Sequence, residues 1–123
     1  HGYVTNDPKV IVKALELADS KVAGSNLDTM NLRWWGNAVN DLPAIFKALA
    51  PYVFHTHMKD GTGARADYAG AVLGHGEIPL KTAVDALVAA GYQGAWCAEW
   101  EGRTDKGQGY ADCLAWMKVN CPG

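Results

Sequence analysis

The sequence predicts an α/β fold in which parallel strands are joined by helices. Segments with helical spacing of apolar residues alternate along the chain with short apolar runs that are typical of strands. Each strand-like run ends in polar or charged residues, and parallel α/β folds build their sites at that end of the strands. The 123 residues are 49% apolar and 20% charged, a composition that is typical of globular domains.

The first predicted element is a helix over residues 7–20, with Asn6 or Asp7 as its cap. The segment VAGSNLD follows as a short strand, which delivers Asp28 to its C-terminal tip. The segment DLPAIFKALAPY predicts a second helix, capped by Asp41 and ended by a proline near its last turn.

The rest of the chain continues the same alternation. YVFHTHMK predicts a second strand, and a glycine-rich loop is expected over residues 60–77. A third helix is predicted near residues 79–90, ended by Gly91, and GAWCAEWE and GYADCLAWMKVN predict a third strand and a fourth helix. The order α, β, α, β, α, β, α requires parallel strands with right-handed crossovers.

The length of the chain indicates how the strands are arranged. Three parallel strands alone would leave two edges unpaired, whereas parallel sheets are normally covered and flanked. A closed eight-stranded barrel takes about 250 residues, and this chain has about half of that, at 123 residues. No composition shift or internal repeat divides the chain. We therefore expect one domain over residues 1–123, made of parallel βα units that form the second half of a TIM (β/α)8 barrel, incomplete without its first half.

Charge and cysteine usage exclude several classes of function. The net charge is -2 and no basic stripe is present, so nucleic acid is not an expected partner. No apolar run approaches the roughly 18 residues that span a bilayer, and no signal core is evident, so no membrane association is expected. Cys97, Cys113 and Cys121 show no CxxC spacing, which favours reduced thiols and a cytoplasmic location.

Three strand tips carry candidate metal ligands. If the three strands are neighbours, their alternation brings Asp28, His57 and Glu99 to one rim. Taken singly, an Asp after a strand is usually a turn cap and a strand His is more often a core residue. Three polar tips at matching positions favour the metal hypothesis, because one imidazole and two carboxylates suit Mn²⁺, Co²⁺ or Mg²⁺.

Five segments carry a resemblance to a known family. HGYVTNDP, GSNLDTMN, YVFHTHMKD, GHGEIPL and GYQGAWCAEWE resemble, in order and spacing, the motifs of the second half of the sugar phosphate isomerase/epimerase family, the xylose isomerase-like TIM barrels. The likeness covers essentially the whole chain and implies four metal ligands, of which Asp28, His57 and Glu99 match three. In such relatives the first Glu stands just before an xHG stretch, and this chain begins at His1-Gly2. We expect that ligand immediately upstream, and we expect the chain alone to be inactive.

The resemblance also implies a reaction. It predicts a metal-dependent isomerase or epimerase of carbohydrate metabolism that acts on a sugar, a sugar phosphate or a polyol. A proton leaves the carbon next to a carbonyl, the divalent ion stabilises the resulting enediolate, and Glu99 is the expected catalytic carboxylate. Two alternatives remain open: an inosose dehydratase-like lyase on the same scaffold, and a non-catalytic half-barrel that associates with a second copy or with a missing N-terminal half.

Further rim residues are candidates for binding the substrate, each with a plainer alternative. His55 is equally interpreted as a core histidine, the loop tryptophan as a packing residue and the outer glutamate as a solvated charge. Asp60 is interpreted as a cap of the turn into Gly61. The candidate substrate-binding residues are Lys59, Asn31, Trp35, His55 and Glu101.

Overall fold

A computed structural model describes residues 4–18 and 21–122 of the chain. The helices within these residues are α1 (Pro8–Leu17), α2 (Asn31–Trp34), α3 (Leu42–Leu49), α4 (Leu80–Ala89) and α5 (Lys106–Asn120). The strands are β1 (Ser25–Asp28), β2 (Val53–Met58), β3 (Asp60–Thr62), β4 (Ala69–Ala71) and β5 (Trp96–Ala98). Short 3-10 turns at Val39–Asp41 and Ala50–Tyr52 flank α3.

The main sheet is parallel and has the strand order β1-β2-β5. Its register places Asp28 opposite His57, and His57 opposite Cys97. The backbone N–H of Glu99 donates to the carbonyl of Met58 at 3.0 Å, so the pairing continues just past the end of β5. The predicted α/β architecture with parallel strands is confirmed, and the three strand tips end at one level of the sheet.

The core lies on one face of this sheet. Leu27 and Met58 are 2% and 0% exposed, and they join a hydrophobic cluster that includes the fully buried Phe46 of α3 and Leu87 of α4. Burying such an apolar side chain stabilises the fold by about 1.5–3 kcal/mol. Thr56, a buried polar residue, lies on the same face of β2 as Met58. Because side chains alternate along a strand, the residues between these core positions emerge on the opposite face, where the candidate site lies.

The loop predicted over residues 60–77 contains structure that the sequence did not reveal. β3 and β4 pair as an antiparallel hairpin in which Gly61 lies opposite Gly70. A Cβ on Gly61 would lie 2.6 Å from the carbonyl oxygen of Ala69, and one on Gly70 would lie 2.5 Å from that of Glu101. The glycines are therefore required by close backbone approach, and strands this short and glycine-rich carry no apolar alternation to detect.

The ends of the first and last helices differ from the predicted ends. Asp7 caps α1, its side chain accepting from the N–H of Lys9 at 2.9 Å, and the helix ends at Leu17 because Ala18 is extended. The predicted last two residues of this helix, and the His1-Gly2 motif, lie outside the described residues. α5 begins three residues earlier than predicted, with Asp105 as its cap, because the glycines in its first turn conceal the helical pattern.

None of the helices in the described ranges is both long and apolar enough to cross a membrane.

Candidate metal centre

Asp28, His57 and Glu99 meet at the C-terminal edge of the main sheet. One ligand atom from each side chain can be chosen so that all three atoms lie within 4.8 Å of one another. The parallel register explains this geometry, because neighbouring strands that run in the same direction present their last residues side by side. The structure thus brings the three candidate ligands together, and their role as ligands stays a prediction.

Asp28 is the most buried of the three candidates, with a side chain that is 10% exposed. Its Oδ1 accepts backbone N–H bonds from Met30 at 3.1 Å and Asn31 at 2.9 Å. Its Oδ2 is also buried, and it contacts the ammonium group of Lys59 at 3.2 Å. Burial raises the pKa of Asp28 above its ordinary value, although the nearby charge of Lys59 and the N–H of Asn31 oppose the shift.

Glu99 uses both of its carboxylate oxygens. Oε2 lies 2.9 Å from Nδ1 of His57, and Oε1 lies 3.1 Å from Nζ of Lys59. Burial on its own would raise the pKa of Glu99, but the hydrogen bond and charge of Lys59, together with His57, outweigh burial and hold the pKa below its usual range. Glu99 is therefore ionised at neutral pH, as a metal ligand must be.

The ammonium group of Lys59 lies inside the carboxylate cluster. Its side chain is only 4% exposed, and Nζ lies 3.2 Å from Oδ2 of Asp28, 3.1 Å from Oε1 of Glu99 and 3.2 Å from Oε1 of Glu101. Burial would lower the pKa of Lys59, but the three carboxylates outweigh it and raise the pKa. The sequence places Lys59 at the rim as a substrate-binding residue, whereas the structure pairs its charge with three protein carboxylates.

The backbone of Lys59 is held by Thr29. The hydroxyl of Thr29 donates to the carbonyl of Lys59 at 2.6 Å and accepts the N–H of the same residue at 2.9 Å. The N–H of Thr29 also donates to the carbonyl of His57 at 3.1 Å. These bonds fasten the end of β1 to the end of β2.

Tyr68 is a rim residue that sequence reasoning missed. Its O–H donates to Oε2 of Glu101 at 3.0 Å, and the side chain of Glu101 is 43% exposed. Burial and the bond to Glu101 raise the pKa of Tyr68, so the phenol stays neutral and remains a donor. A tyrosine in a glycine-rich loop at the predicted rim was the signal available, but no spacing rule links it to a residue 33 positions later.

A cavity of about 560 Å³ opens beside the three candidate ligands. That volume is in the range of small-molecule sites. Asn31 and Trp35 line it, and Ile11 and Leu15 of α1 form an apolar part of its wall. The substrate-binding role of Asn31 and Trp35 stays a prediction. His55 lies below the rim with its ring edge-on to that of His57, the two centroids 5.6 Å apart.

Two further contacts hold the surrounding loops in place. Nε of Arg33 lies 2.7 Å from Oε1 of Glu77, which also accepts the N–H of Gly63 at 3.1 Å. The guanidinium of Arg65 lies 5.3 Å and 5.4 Å from the ring centroids of Trp34 and Trp35. The loop after β1 is thereby joined to the hairpin that follows β2.

Asp60 anchors the glycine-rich segment from within. It is 1% exposed, and its carboxylate accepts four backbone N–H bonds. Gly61 and Ile78 donate to Oδ1 at 2.8 Å and 3.2 Å, while Gly74 and Gly76 donate to Oδ2 at 2.9 Å and 3.0 Å. Burial raises the pKa of Asp60 and the four donors oppose that shift. The predicted cap of the turn into Gly61 is present, and the same carboxylate also binds backbone N–H groups near the end of the loop.

Comparison with known proteins identifies the family. A model of the xylose isomerase-like TIM barrel family matches residues 1–119. This chain belongs to that family. The match confirms the family that the sequence predicted, and the fold class follows from it together with the parallel sheet. A comparison with curated proteins gives no match.

Solved structures show the same fold. A xylose isomerase domain protein from Planctomyces limnophilus superimposes with a TM-score of 0.69 at 21% identity, over 91% of this chain and 41% of its own. Mannonate dehydratase from Streptococcus suis serotype2 gives 0.65 at 14% identity, over 98% and 40%. A xylose isomerase domain protein from Alicyclobacillus acidocaldarius subsp. acidocaldarius gives 0.55 at 26% identity, over 78% and 35%. The chain thus spans about two fifths of the length of such relatives.

Proposed function

We propose that residues 1–123 form the second half of a barrel that acts as a metal-dependent isomerase or epimerase on a sugar, a sugar phosphate or a polyol. The observation that carries this proposal is the grouping of Asp28, His57 and Glu99, with ligand atoms within 4.8 Å of one another beside a cavity. Members of the xylose isomerase-like superfamily are largely sugar-processing enzymes and commonly bind divalent metals.

The donor set fits a divalent ion. Two carboxylates and one imidazole are the mixed oxygen and nitrogen ligands that Mn²⁺, Mg²⁺ and Co²⁺ accept. Oδ2 of Asp28 is buried and contacts the ammonium group of Lys59 at 3.2 Å, so this carboxylate oxygen already faces a cation. Asp28, His57 and Glu99 would hold the ion, which supplies Lewis-acid polarisation of a carbonyl and stabilises negative charge beside it.

The residues of the chain divide the remaining work. Glu99 takes the proton from the carbon next to the substrate carbonyl, holds it on a carboxylate oxygen and returns it to carbon. In the metal-free protein the hydrogen bond and charge of Lys59 hold the pKa of Glu99 below its usual range, so the carboxylate is already ionised before an ion binds. Asn31 and Trp35 line the cavity, where a polar amide and an aromatic face orient hydroxyl groups and C–H faces of a sugar.

Exchange of hydrogen with solvent tests this proposal with a panel of ketoses. In D₂O, the complete Mn²⁺-loaded barrel that contains residues 1–123 is expected to introduce deuterium next to the carbonyl of at least one of these ketoses, and chelation or Asp28→Asn is expected to abolish the exchange. Asp41→Asn, an exposed acid in a 3-10 turn, is the matched control and should exchange normally. Exchange that survives both chelation and Asp28→Asn would overturn the proposal.

A lyase on the same residues is the second candidate, and the neutral phenol of Tyr68 favours it. Expulsion of a hydroxyl group requires a proton donor, and Tyr68 presents one at the rim, held by Glu101 at 3.0 Å. Assays of inosose and of ketoses separate the two reactions, since the lyase releases water and forms a deoxy product. Loss of that product in Tyr68→Phe, with solvent exchange retained, would favour the dehydratase.

Self-association without catalysis is the third candidate. Within the described residues, β1 and β5 each have a neighbour on one side only, and Phe54 at the lower end of β2 is 50% exposed. A solution mass of two copies together with an absence of Mn²⁺ binding supports this function. A single-copy mass with tight Mn²⁺ binding excludes it.

A further inference from the structure

We propose that Lys59 is a built-in competitor of the metal ion: its ammonium group neutralises Asp28 and Glu99 in the metal-free protein and withdraws to Glu101 alone when the ion binds. This inference rests on the proposed function, since it concerns the same three candidate ligands. It adds a residue that sets the affinity of the site and the stability of its empty form.

Two carboxylate oxygens of the candidate ligands remain for an ion. Oδ1 of Asp28 is engaged by two backbone N–H groups, and Oε2 of Glu99 by His57. The remaining oxygens are Oδ2 of Asp28 and Oε1 of Glu99, and each lies within 3.2 Å of Nζ of Lys59. The ammonium therefore contacts the two oxygens that a metal ion requires.

Two cations cannot share these oxygens. An ammonium group and a divalent ion at hydrogen-bonding distance from the same carboxylates repel each other strongly in a site that is largely removed from water. The side chain of Lys59 is 4% exposed, so escape into solvent is not open to it without rearrangement. The ammonium group has to move to another anion that the Lys59 side chain can reach.

Glu101 provides that anion. Its Oε1 is already 3.2 Å from Nζ of Lys59, and it is absent from the group of candidate ligands. Its Oε2 is held by the Tyr68 O–H at 3.0 Å, which orients the carboxylate toward the lysine. Because Thr29 fixes the backbone of Lys59 on both sides, at 2.6 Å and 2.9 Å, the displacement is confined to the side chain.

Lys59→Met is the first test, with Mn²⁺ titrated into the metal-free protein. Removal of the competing charge is expected to tighten Mn²⁺ binding by about tenfold. The same substitution leaves three carboxylates uncompensated, so the metal-free melting temperature is expected to fall. If Lys59 formed only a structural ion pair, Lys59→Met would lower both the melting temperature and the affinity for Mn²⁺. Lys59→Arg keeps the charge and is the matched control, expected to bind Mn²⁺ no more tightly than wild type.

Tyr68→Phe is the second test and keeps the proposal falsifiable if Lys59→Met fails to fold. Tyr68→Phe changes no charge. If only direct electrostatic effects on the ion mattered, the affinity for Mn²⁺ would therefore stay unchanged. If Tyr68 orients Glu101 to receive the lysine, Mn²⁺ binding weakens by about threefold, the equivalent of losing part of one hydrogen bond. Unchanged Mn²⁺ affinity in Tyr68→Phe overturns the role given to Glu101.

A double-mutant cycle separates the lysine from simple attraction between Glu101 and the ion. Glu101→Gln is expected to weaken Mn²⁺ binding in the wild-type background and to have little effect in the Lys59→Met background. Equal weakening in both backgrounds overturns the inference. Wild-type protein that binds no Mn²⁺ overturns the proposed function and this inference together, whereas wild-type binding that Asp28→Asn abolishes, without tightening in Lys59→Met, overturns the inference alone.

Discussion

Nδ1 of His57 lies 2.9 Å from Oε2 of Glu99, so the imidazole and the carboxylate at neighbouring strand tips are bonded to each other. Nε2 of His57 lies 3.5 Å from the side-chain amide nitrogen of Asn26, a longer contact. Nε2 is therefore the less engaged of the two imidazole nitrogens. A metal ion that binds through Nδ1 has to break the contact between His57 and Glu99. The candidate ligands are therefore paired with other side chains of the protein in the metal-free site, and a metal ion has to displace these partners.

The first prediction concerns the pH dependence of stability. Burial raises the folded-state pKa of Asp28 above its unfolded value, so the stability it contributes is present below the unfolded pKa and lost as pH rises through the folded pKa. The free energy of unfolding of the metal-free protein, relative to Asp28→Asn, should therefore decrease as pH rises through that window. Urea unfolding of both proteins over a pH series measures this difference. A difference that grows with pH contradicts the assigned direction.

The second prediction concerns Asp60. Asp60→Asn turns one carboxylate oxygen into an NH₂ group that faces two backbone N–H donors, whichever oxygen is replaced. We expect a loss of about 2–3 kcal/mol in the free energy of unfolding, because buried donors lose their acceptor. Asp67→Asn is the control in the same loop, since Asp67 is exposed and accepts one bond, from Ala64 at 2.7 Å. Similar losses in the two variants would mean that Asp60 is not the anchor.

The third prediction concerns the close approach of Gly70 to Glu101. A Cβ on Gly70 would lie 2.5 Å from the backbone oxygen of Glu101, which cannot rotate away as a side chain can. Gly70→Ala should destabilise the protein by about 1–3 kcal/mol through overpacking. The matched control is Gly107→Ala in the first turn of α5, where the nearest atom is 3.2 Å away, on Asp105. Thermal unfolding of both variants checks the contrast, and a neutral Gly70→Ala would refute it.

The fourth prediction separates two interpretations of His55. Its ring packs edge-on against His57 with centroids 5.6 Å apart, and it does not belong to the candidate ligand group. His55→Phe keeps a ring in that position, so Mn²⁺ affinity should stay within about threefold of wild type, less than the effect usual for loss of a ligand's hydrogen-bond partner. His57→Phe should abolish binding. A large loss in His55→Phe would assign His55 a direct part in holding the ion.

The sequence was sufficient to predict the features that depend on periodicity. Parallel strands with polar tips have their C-terminal ends at one edge, so strand direction and alternation predict that Asp28, His57 and Glu99 converge if their strands are neighbours. The structure supplies that condition with the strand order β1-β2-β5. The same alternation places His55, His57 and Lys59 on one face. It gives no information on how far a flexible lysine reaches, which is why the position of its ammonium among three carboxylates was not predicted.

Features that depend on contacts between loops were missed. The pairing of Gly61 with Gly70 leaves no apolar pattern, because the strands are three residues long and held by backbone bonds. The ion pair between Arg33 and Glu77 joins residues 44 positions apart, with no local signature at either end. Such contacts are set by how the loops after β1 and β2 fold over one another, which propensity and periodicity do not encode.

The two bonds between Thr29 and Lys59 have a kinetic consequence. They join the ends of β1 and β2 through protein atoms alone. The backbone spacing between the candidate ligands on these two strands therefore persists whether or not an ion is present. Loading and unloading the centre would then require only rotations of side chains, which take nanoseconds or less at exposed positions and longer where packing restricts them. A site of this kind exchanges its metal ion without unfolding the strand ends that carry the ligands.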